Sequence, residues 1–230
     1  MTGTKQTDAQ QIIRNIVKSG DTIMVGGFGL IGSPLTLIDE LTRHDAKDLT
    51  IISNNVGEAG RGLGLLLRQG KIKKAIGSYF TSNREVAQWY NDGKLEIGLL
   101  PQGTFSEAIR AGGAGIGGFY TKTAVGTELA KGKETKEIDG ETYLFEKALK
   151  ANVALVRAEK ADTKGNLIYY KTARNFNPIM ATAADYVIAE VDEIVEEGEL
   201  SPEEIVTPHL YVDAIVTSRL ILTNEGVVEA

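Results

Sequence analysis

Cysteine is absent from the 230 residues, so the chain can form no disulfide, offers no thiolate nucleophile and holds no sulfur-ligated metal. Histidine is nearly as scarce. His44 and His209 have no second ligand at metal-binding spacing, and no metal site is expected. His44 falls in the last turn of an expected helix, where the helix dipole favours a histidine, and His209 lies in a proline-containing loop. Long apolar runs are also missing. No stretch reaches the roughly 18 apolar residues of a membrane-spanning helix, and Met1–Gln11 is polar where a signal peptide would be apolar. Basic blocks are lacking as well: 31 acidic against 25 basic residues leave a net charge of −6, which speaks against nucleic acid or an anionic membrane as partner. These absences together lead to the expectation of a cytoplasmic protein.

What is present is an ordinary globular composition, 42% hydrophobic and 24% charged, which excludes a disordered or fibrous chain. The first hundred residues alternate between two periodicities, as βαβ units require. Ile12, Ile13, Ile16 and Val17 recur at helical spacing, with Gly20 as the stop. Thr22–Val25 reads as a strand, followed by glycines and by Ser33-Pro34, which has the chemistry of an N-cap and first helical residue ahead of Leu35, Ile38 and Leu41. The unit recurs: strands at Leu49–Ser53, Ala75–Tyr79 and Glu96–Leu100, helices at Arg61–Gln69, Asn83–Asn91 and Phe105–Ala111. From Gly112 to Gly140 a glycine-rich loop and an exposed charged excursion are expected. Beyond it, Val153–Ala158 and Tyr186–Glu190 read as buried strands, Lys164-Gly165-Asn166 as a turn and Glu193–Glu204 as an acidic surface segment. Continuous apolar strands imply a sheet covered on both sides. The expectation is an α/β fold, an open, mostly parallel sheet with helices on both faces, with residues 1–230 as a single domain.

Gly27-Phe28-Gly29-Leu30-Ile31-Gly32 satisfies G-x-G-x-x-G between a strand and a helix, a pattern that permits tight turns and offers helix N-terminal amides to an anion. A dinucleotide fingerprint also wants an acidic residue at the end of the next strand, where this chain has Ser53-Asn54-Asn55. Glycines serving only a tight turn are the alternative. Asn54, Asn55 and Gln102 all follow strands, at the sheet end where such folds bind ligands. Their amides can hold a carbonyl or a developing oxyanion without charge, or simply cap loops. No serine sits in a nucleophile elbow, and the glutamates fall mainly on charged faces. The chain offers no self-sufficient active site.

Several blocks together resemble the A (alpha) subunit of the family I coenzyme A transferases, of the 3-oxoacid and acetate or butyrate:acetoacetate type, over nearly the whole chain. The signature is Ile23-Met24-Val25-Gly26-Gly27-Phe28 with Gly32 and Pro34. It is joined by Ser53-Asn54-Asn55, Pro101-Gln102-Gly103-Thr104, the stretch Arg110-Ala111-Gly112-Gly113-Ala114-Gly115 and Phe119-Tyr120-Thr121. Lys160-Ala161-Asp162, Ala173-Arg174-Asn175-Phe176-Asn177 and Tyr211-Val212-Asp213 complete the set. Ser19 stands where the family usually has Asp or Asn, and Ile31 where the 3-oxoacid enzymes often carry cysteine.

The resemblance implies ping-pong transfer of CoA between a short-chain acyl-CoA or 3-oxoacyl-CoA and a carboxylic acid. The nucleophile is a glutamate in a Ser-Glu-Asn-Gly motif of a B (beta) subunit, and that tetrapeptide does not occur here. By the same resemblance Asn54, Asn55 and Gln102 polarise the thioester carbonyl. Gly26, Gly27, Phe28, Gly29 and Gly32 shape the acyl wall, Gly113 and its neighbours approach the site, and coenzyme A is substrate with no further cofactor. Two other classes remain: a non-catalytic ligand sensor of related fold, opposed by the lack of a DNA-binding segment ahead of residue 20, and a nicotinamide-dependent oxidoreductase, opposed by the missing acidic residue.

Overall fold

A computed structural model describes residues 4–229; Met1–Gly3, the start of the polar N-terminal stretch, and Ala230 lie outside the described residues. In chain order the first half contains α1 (Ala9–Ile16), β1 (Thr22–Val25), α2 (Leu35–Arg43), β2 (Leu49–Ile52), α3 (Leu63–Arg68), β3 (Ile72–Gly77), α4 (Arg84–Asn91), β4 (Glu96–Leu99) and α5 (Gln102–Gly113). Then come β5 (Gly118–Thr121), β6 (Thr135–Ile138), β7 (Glu141–Lys147), β8 (Ala151–Asp162), β9 (Leu167–Ile168), α6 (Asn177–Ala181), β10 (Ala184–Val195), β11 (Ala214–Thr217), β12 (Leu220–Thr223) and β13 (Gly226–Glu229).

The main sheet has the order β11-β10-β8-β1-β2-β3-β4 and is parallel along this path, with β9 folding back antiparallel on β8. Side chains alternate between its faces, and both faces are buried. Ile23, Val25, Ile51 and Leu155 pack with Leu37, Ile38 and Leu41 of α2 and Leu66 of α3 on one side. Met24, Ile52, Ala154 and Val156 pack with Phe105 and Ile109 of α5 and Met180 of α6 on the other. This two-sided burial is what continuous apolar strands require, and each fully buried aliphatic side chain contributes roughly 1.5–3 kcal/mol.

Four local expectations are corrected. Gly20 does adopt a positive φ of 84°, but α1 has already ended with Val17 as its C-cap, so the glycine serves the turn into β1. Ser33-Pro34 does not cap α2: Pro34 is itself the N-cap residue and no side chain of the local sequence bonds the first turn. Within the Gly112–Gly140 stretch an exposed excursion runs over residues 122–134, but Gly112 and Gly113 finish α5, and β5 and β6 on either side of the excursion pair with β7 in a separate antiparallel sheet of order β5-β7-β6. The first three residues of β6 are exposed, so no alternation marks it as a strand. Finally, Glu193, Ile194 and Val195 belong to β10, which pairs with β8 as far as Asp162. His44 also differs in role. It is the C-cap of α2, with Nδ1 accepting from the Ala46 N–H at 3.1 Å, while the helix-terminal carbonyls of Leu41, Thr42 and His44 accept from the Lys71 ammonium.

The missing cap of α2 comes from across the sheet. Glu190, at the centre of β10 and 0% exposed, accepts the Leu37 N–H through Oε2 at 3.1 Å. A carboxylate at the N-terminus and an ammonium at the C-terminus complement the helix dipole at both ends. Burial pushes the Glu190 carboxyl up to about 7, against the opposing pull of Arg157, the Leu37 N–H and the Thr36 and Ser218 hydroxyls. An unfolded glutamate titrates near about 4.3. Between these values the folded chain keeps a proton that the unfolded chain has released, so this residue's contribution to stability declines as pH rises through that window and levels off above 7. Glu190→Gln keeps an acceptor for Leu37 but does not titrate. In urea denaturation, the variant is expected to gain on the wild type by up to about 3 kcal/mol between pH 4.5 and 7.5. Parallel stability curves for the two proteins would contradict the burial argument.

Candidate active site

The strand order reverses between β1 and β8, the place where open α/β sheets hold ligands outside the carboxyl ends of their strands. Val25 pairs with Leu155, and β8 runs on to Asp162, so the chain leaving β1 fills a notch beside β8. There it makes a tight hairpin. Phe28 and Ile31 exchange both backbone hydrogen bonds, 2.9 and 3.3 Å, around Gly29-Leu30, with Gly29 at φ +63°, the form of a type II′ turn. The chain leaving β2 repeats the device, with Glu58 and Arg61 bridged around Ala59-Gly60. Phe28 and Ile31 stand about half exposed at the loop tip.

Two asparagines hold this loop. Asn175 accepts the Gly27 N–H through Oδ1 at 3.1 Å and donates through Nδ2 to the Ile31 carbonyl at 3.0 Å. Asn177, fully buried, donates through Nδ2 to the Gly32 carbonyl at 3.0 Å and accepts the Arg157 N–H through Oδ1 at 2.8 Å. The glycine requirement follows directly. A Cβ on Gly26 would lie 1.7 Å from Asn177 Oδ1, and one on Gly32 would lie 2.3 Å from the Ala173 carbonyl and 2.6 Å from Asn175 Nδ2. At Gly29 the surrounding space is open and only the positive φ selects glycine.

The other expected site residues occupy the same end of the sheet, but in different states. Asn54 is buried; its Nδ2 donates to Ser78 Oγ at 2.9 Å and its backbone carbonyl accepts from Ser78 and Tyr79. Asn55 is buried too, with Oδ1 accepting the Gly57 N–H at 2.9 Å in a loop-capping turn. Gln102 is the first residue of α5, directly after Pro101, and is exposed. Successive strand ends β1 to β4 therefore carry the glycine loop, Asn54-Asn55, Ser78 and Gln102 in one row about 14 Å long at ordinary strand spacing. Gly113 is not brought to it. It lies at the opposite end of α5, about 16 Å along the axis from Gln102, where a Cβ would meet Thr182 Oγ1 at 2.2 Å.

At the helix N-terminus after the glycine loop the Leu37 N–H is bonded to Glu190, and Leu35 and Thr36 are buried, so the first turn is turned away from a ligand. That corrects the expectation that the loop presents helix amides to a ligand and removes the main support for a bound pyrophosphate. Beyond the loop, a cavity of about 440 Å³ opens between Leu30–Ser33, Arg157, Asp192, Tyr170 and the β12–β13 hairpin. None of Asn54, Asn55 and Gln102 lines it; of the three, only Gln102 is exposed at the edge. Among the described residues no cluster of histidine, aspartate and glutamate could hold a metal, and no helix is long and apolar enough to cross a membrane.

Sequence reasoning does not select Asn175 and Asn177 as site residues, because they lie about 150 positions from the loop they bind; their place in the Ala173–Asn177 block is the only signal.

Residues 6–218 match the coenzyme A transferase family. The chain is 50% identical over 212 residues to the A chain of the succinyl-CoA:3-ketoacid coenzyme A transferase of Xanthomonas campestris pv. campestris strain B100, covering 92% of this chain and 88% of that one. It is 46% identical over 202 residues to the alpha chain of the acetate CoA-transferase of Escherichia coli K12, covering 88% and 92%. In fold it is similar to an acyl-CoA transferase of Escherichia coli O157:H7 solved as a thioester complex with CoA. The TM-score there is 0.83 at 22% identity, over 94% of this chain and 48% of that longer one. This chain belongs to the coenzyme A transferase family.

The two kinds of glycine in the loop are expected to respond differently. Gly26→Ala forces a Cβ into a buried amide and is expected to cost about 1–3 kcal/mol of stability. Gly29→Asn, where open space meets a residue that tolerates positive φ, is expected to cost less than about 1 kcal/mol. Thermal denaturation of both variants checks this, and the reverse ranking would mean that Asn177 does not pack against Gly26.

Proposed function

We propose that the whole chain, residues 1–230, is the A subunit of a CoA-transferase that moves CoA between a short-chain acyl-CoA or 3-oxoacyl-CoA and a carboxylic acid, in the cytoplasm. The observation that carries the reading is the row of amides at the carboxyl edge of the sheet, ending in exposed Gln102, beside which the exposed carboxylate of Glu58 is paired with Arg61 at 3.7 Å. Glu190 is the carboxyl pushed towards neutral pH, yet it is fully buried and bonded to α2, out of reach of a thioester. The nucleophile in this reading is a glutamate of a B subunit, and the half-exposed Phe28 and Ile31 and exposed Gln102 face it across the open edge.

In this reaction the partner's carboxylate attacks the thioester carbonyl of the acyl-CoA. The tetrahedral oxyanion collapses to a mixed anhydride and expels the CoA thiolate. The thiolate then attacks the glutamyl carbonyl, which gives a glutamyl-CoA thioester and releases the first acid. The second acid reverses the sequence and leaves as the new acyl-CoA. A carboxylate is a weak nucleophile toward a thioester, so covalent capture, placement and donors aimed at the oxyanion must supply the acceleration. Neutral amides suit that task, since a lysine in their place would pair with the attacking carboxylate. Coenzyme A enters as substrate, and this chemistry needs no resident cofactor.

Gln102 is the sharper probe of the donor set, because Asn54→Ala would also break the buried bond to Ser78. With the B subunit present, Gln102→Ala is expected to leave the complex assembled and to lower kcat by about 10²- to 10³-fold, the usual effect of losing an oxyanion donor. Gln102→Glu is expected to be slower still, since its charge repels both the carboxylate and the oxyanion. Steady-state kinetics decide the matter: an unchanged kcat with a raised KM would make Gln102 a binding residue only. The chain by itself is expected to show no CoA exchange, and ping-pong exchange by partner-free preparations would overturn the division of roles.

A further inference from the structure

The Gly26–Gly32 loop makes few bonds of its own. Its hairpin closes on itself at Phe28 and Ile31, and the Gly29 and Leu30 N–H groups at the tip have no partner among the described residues. Besides the Gly26 N–H bond to the Leu155 carbonyl of β8 at 3.0 Å, the two ends of the loop are held by side-chain amides from the stretch Asn175–Asn177 that leads into α6. Asn175 takes the Gly27 N–H on the way in and the Ile31 carbonyl on the way out; Asn177 takes the Gly32 carbonyl. Neither amide has slack. Asn175 Oδ1 also accepts the Phe176 N–H at 2.7 Å, and its Nδ2 is within reach of the Thr172 and Ala173 carbonyls at 3.2 and 3.1 Å. Asn177 is anchored to β8 through the Arg157 N–H and also donates to the Ala173 carbonyl at 3.0 Å.

The backbone of this segment is itself shaped for the task. Asn175 stands at φ +22°, ψ −119°, a conformation that an L residue holds only when its surroundings impose it. Between the two asparagines Phe176 turns the other way and packs edge-to-face on Phe105 of α5, with ring centroids 5.3 Å apart. Gln102 begins that same helix. One short segment thus ties the loop at the end of β1 to the helix that carries Gln102 at the end of β4, through two amides on one side and one aromatic ring on the other.

We propose that Asn175 and Asn177 are positioning residues of the transfer reaction. They hold the glycine loop at a fixed distance from Gln102, so that the acyl group between them is gripped in one geometry. The inference rests on the CoA-transfer reading and adds to it two residues that touch neither substrate nor partner. It also explains why the loop is glycine at Gly26 and Gly32, the two points where the clamp closes.

Asn175→Gly is the informative variant. Glycine accepts the positive φ without strain, so the fold is kept while the bonds to Gly27 and Ile31 are lost. In complex with the B subunit, the variant is expected to stay folded and assembled with a modestly lower melting temperature, to retain its KM for acyl-CoA and to lose kcat by about 10- to 100-fold, the scale of a misplacement near 1 Å. Amide exchange in residues 26–33 is expected to quicken while α2 stays protected. Asn175→Asp, which keeps the acceptor for Gly27 and loses the donor to Ile31, is expected to fall between the two. An active wild-type complex with unchanged kcat in Asn175→Gly overturns the clamp alone. A wild-type complex that transfers no CoA overturns the parent reading and the clamp with it. If both variants fail to fold, the asparagine is a residue of the fold and the positioning role is overturned.

Discussion

The glycines that let the loop after β1 bend also leave it without side chains to satisfy its backbone, and a buried N–H or C=O left unpaired costs about 1–3 kcal/mol. The partners therefore come from elsewhere. Asn175 and Asn177 bond the loop across 144 to 148 residues of sequence, and Glu190 caps the helix that follows it from 153 residues away. The first half of the chain supplies the loop and the donor row, and the second half supplies what holds them. Neither half contains a complete site. The requirement that β8 insert beside β1, so that Leu155 meets Val25 and Asn177 meets Gly26, ties the topology of the sheet to the chemistry at its edge.

Much of the architecture is legible in the sequence because it is written in local periodicity. Thr22–Val25, Leu49–Ile52 and Glu96–Leu99 are short apolar runs bounded by turn residues, and Asn83 caps α4 by accepting the Glu85 N–H as its residue type implies. Asn54, Asn55 and Gln102 are read correctly at strand ends, since a residue's position along a βαβ unit depends on counting alone. What each amide does there is not legible. Whether Asn54 faces a ligand or Ser78 is decided by β3, which pairs with β2. The β5-β7-β6 sheet is hidden because β5 is short and uniformly half-buried, β6 is exposed, and β7 buries a glutamate, Glu146, beside Leu144, so no strand shows a clean apolar alternation. Ser33-Pro34 misleads for a related reason: local capping chemistry is only one way to satisfy a helix end, and a carboxylate from β10 takes that place.

The electrostatics of the site follow a consistent division. Glu190 and Lys71 complement the two ends of α2, and the strand ends carry amides and glycines beside the exposed Glu58–Arg61 pair. Neutral donors neither quench an incoming carboxylate nor repel a developing oxyanion. The buried carboxyl of Glu190 cannot substitute for a nucleophile without breaking the helix cap it provides.

The central claim is that this chain contributes donors while its partner contributes the covalent carrier. Incubating the assembled complex with acyl-CoA, without an acceptor acid, and weighing each intact chain by mass spectrometry tests it directly. The account predicts that the mass of CoA appears on the partner chain and that this chain keeps its own mass. A CoA adduct on this chain would contradict it.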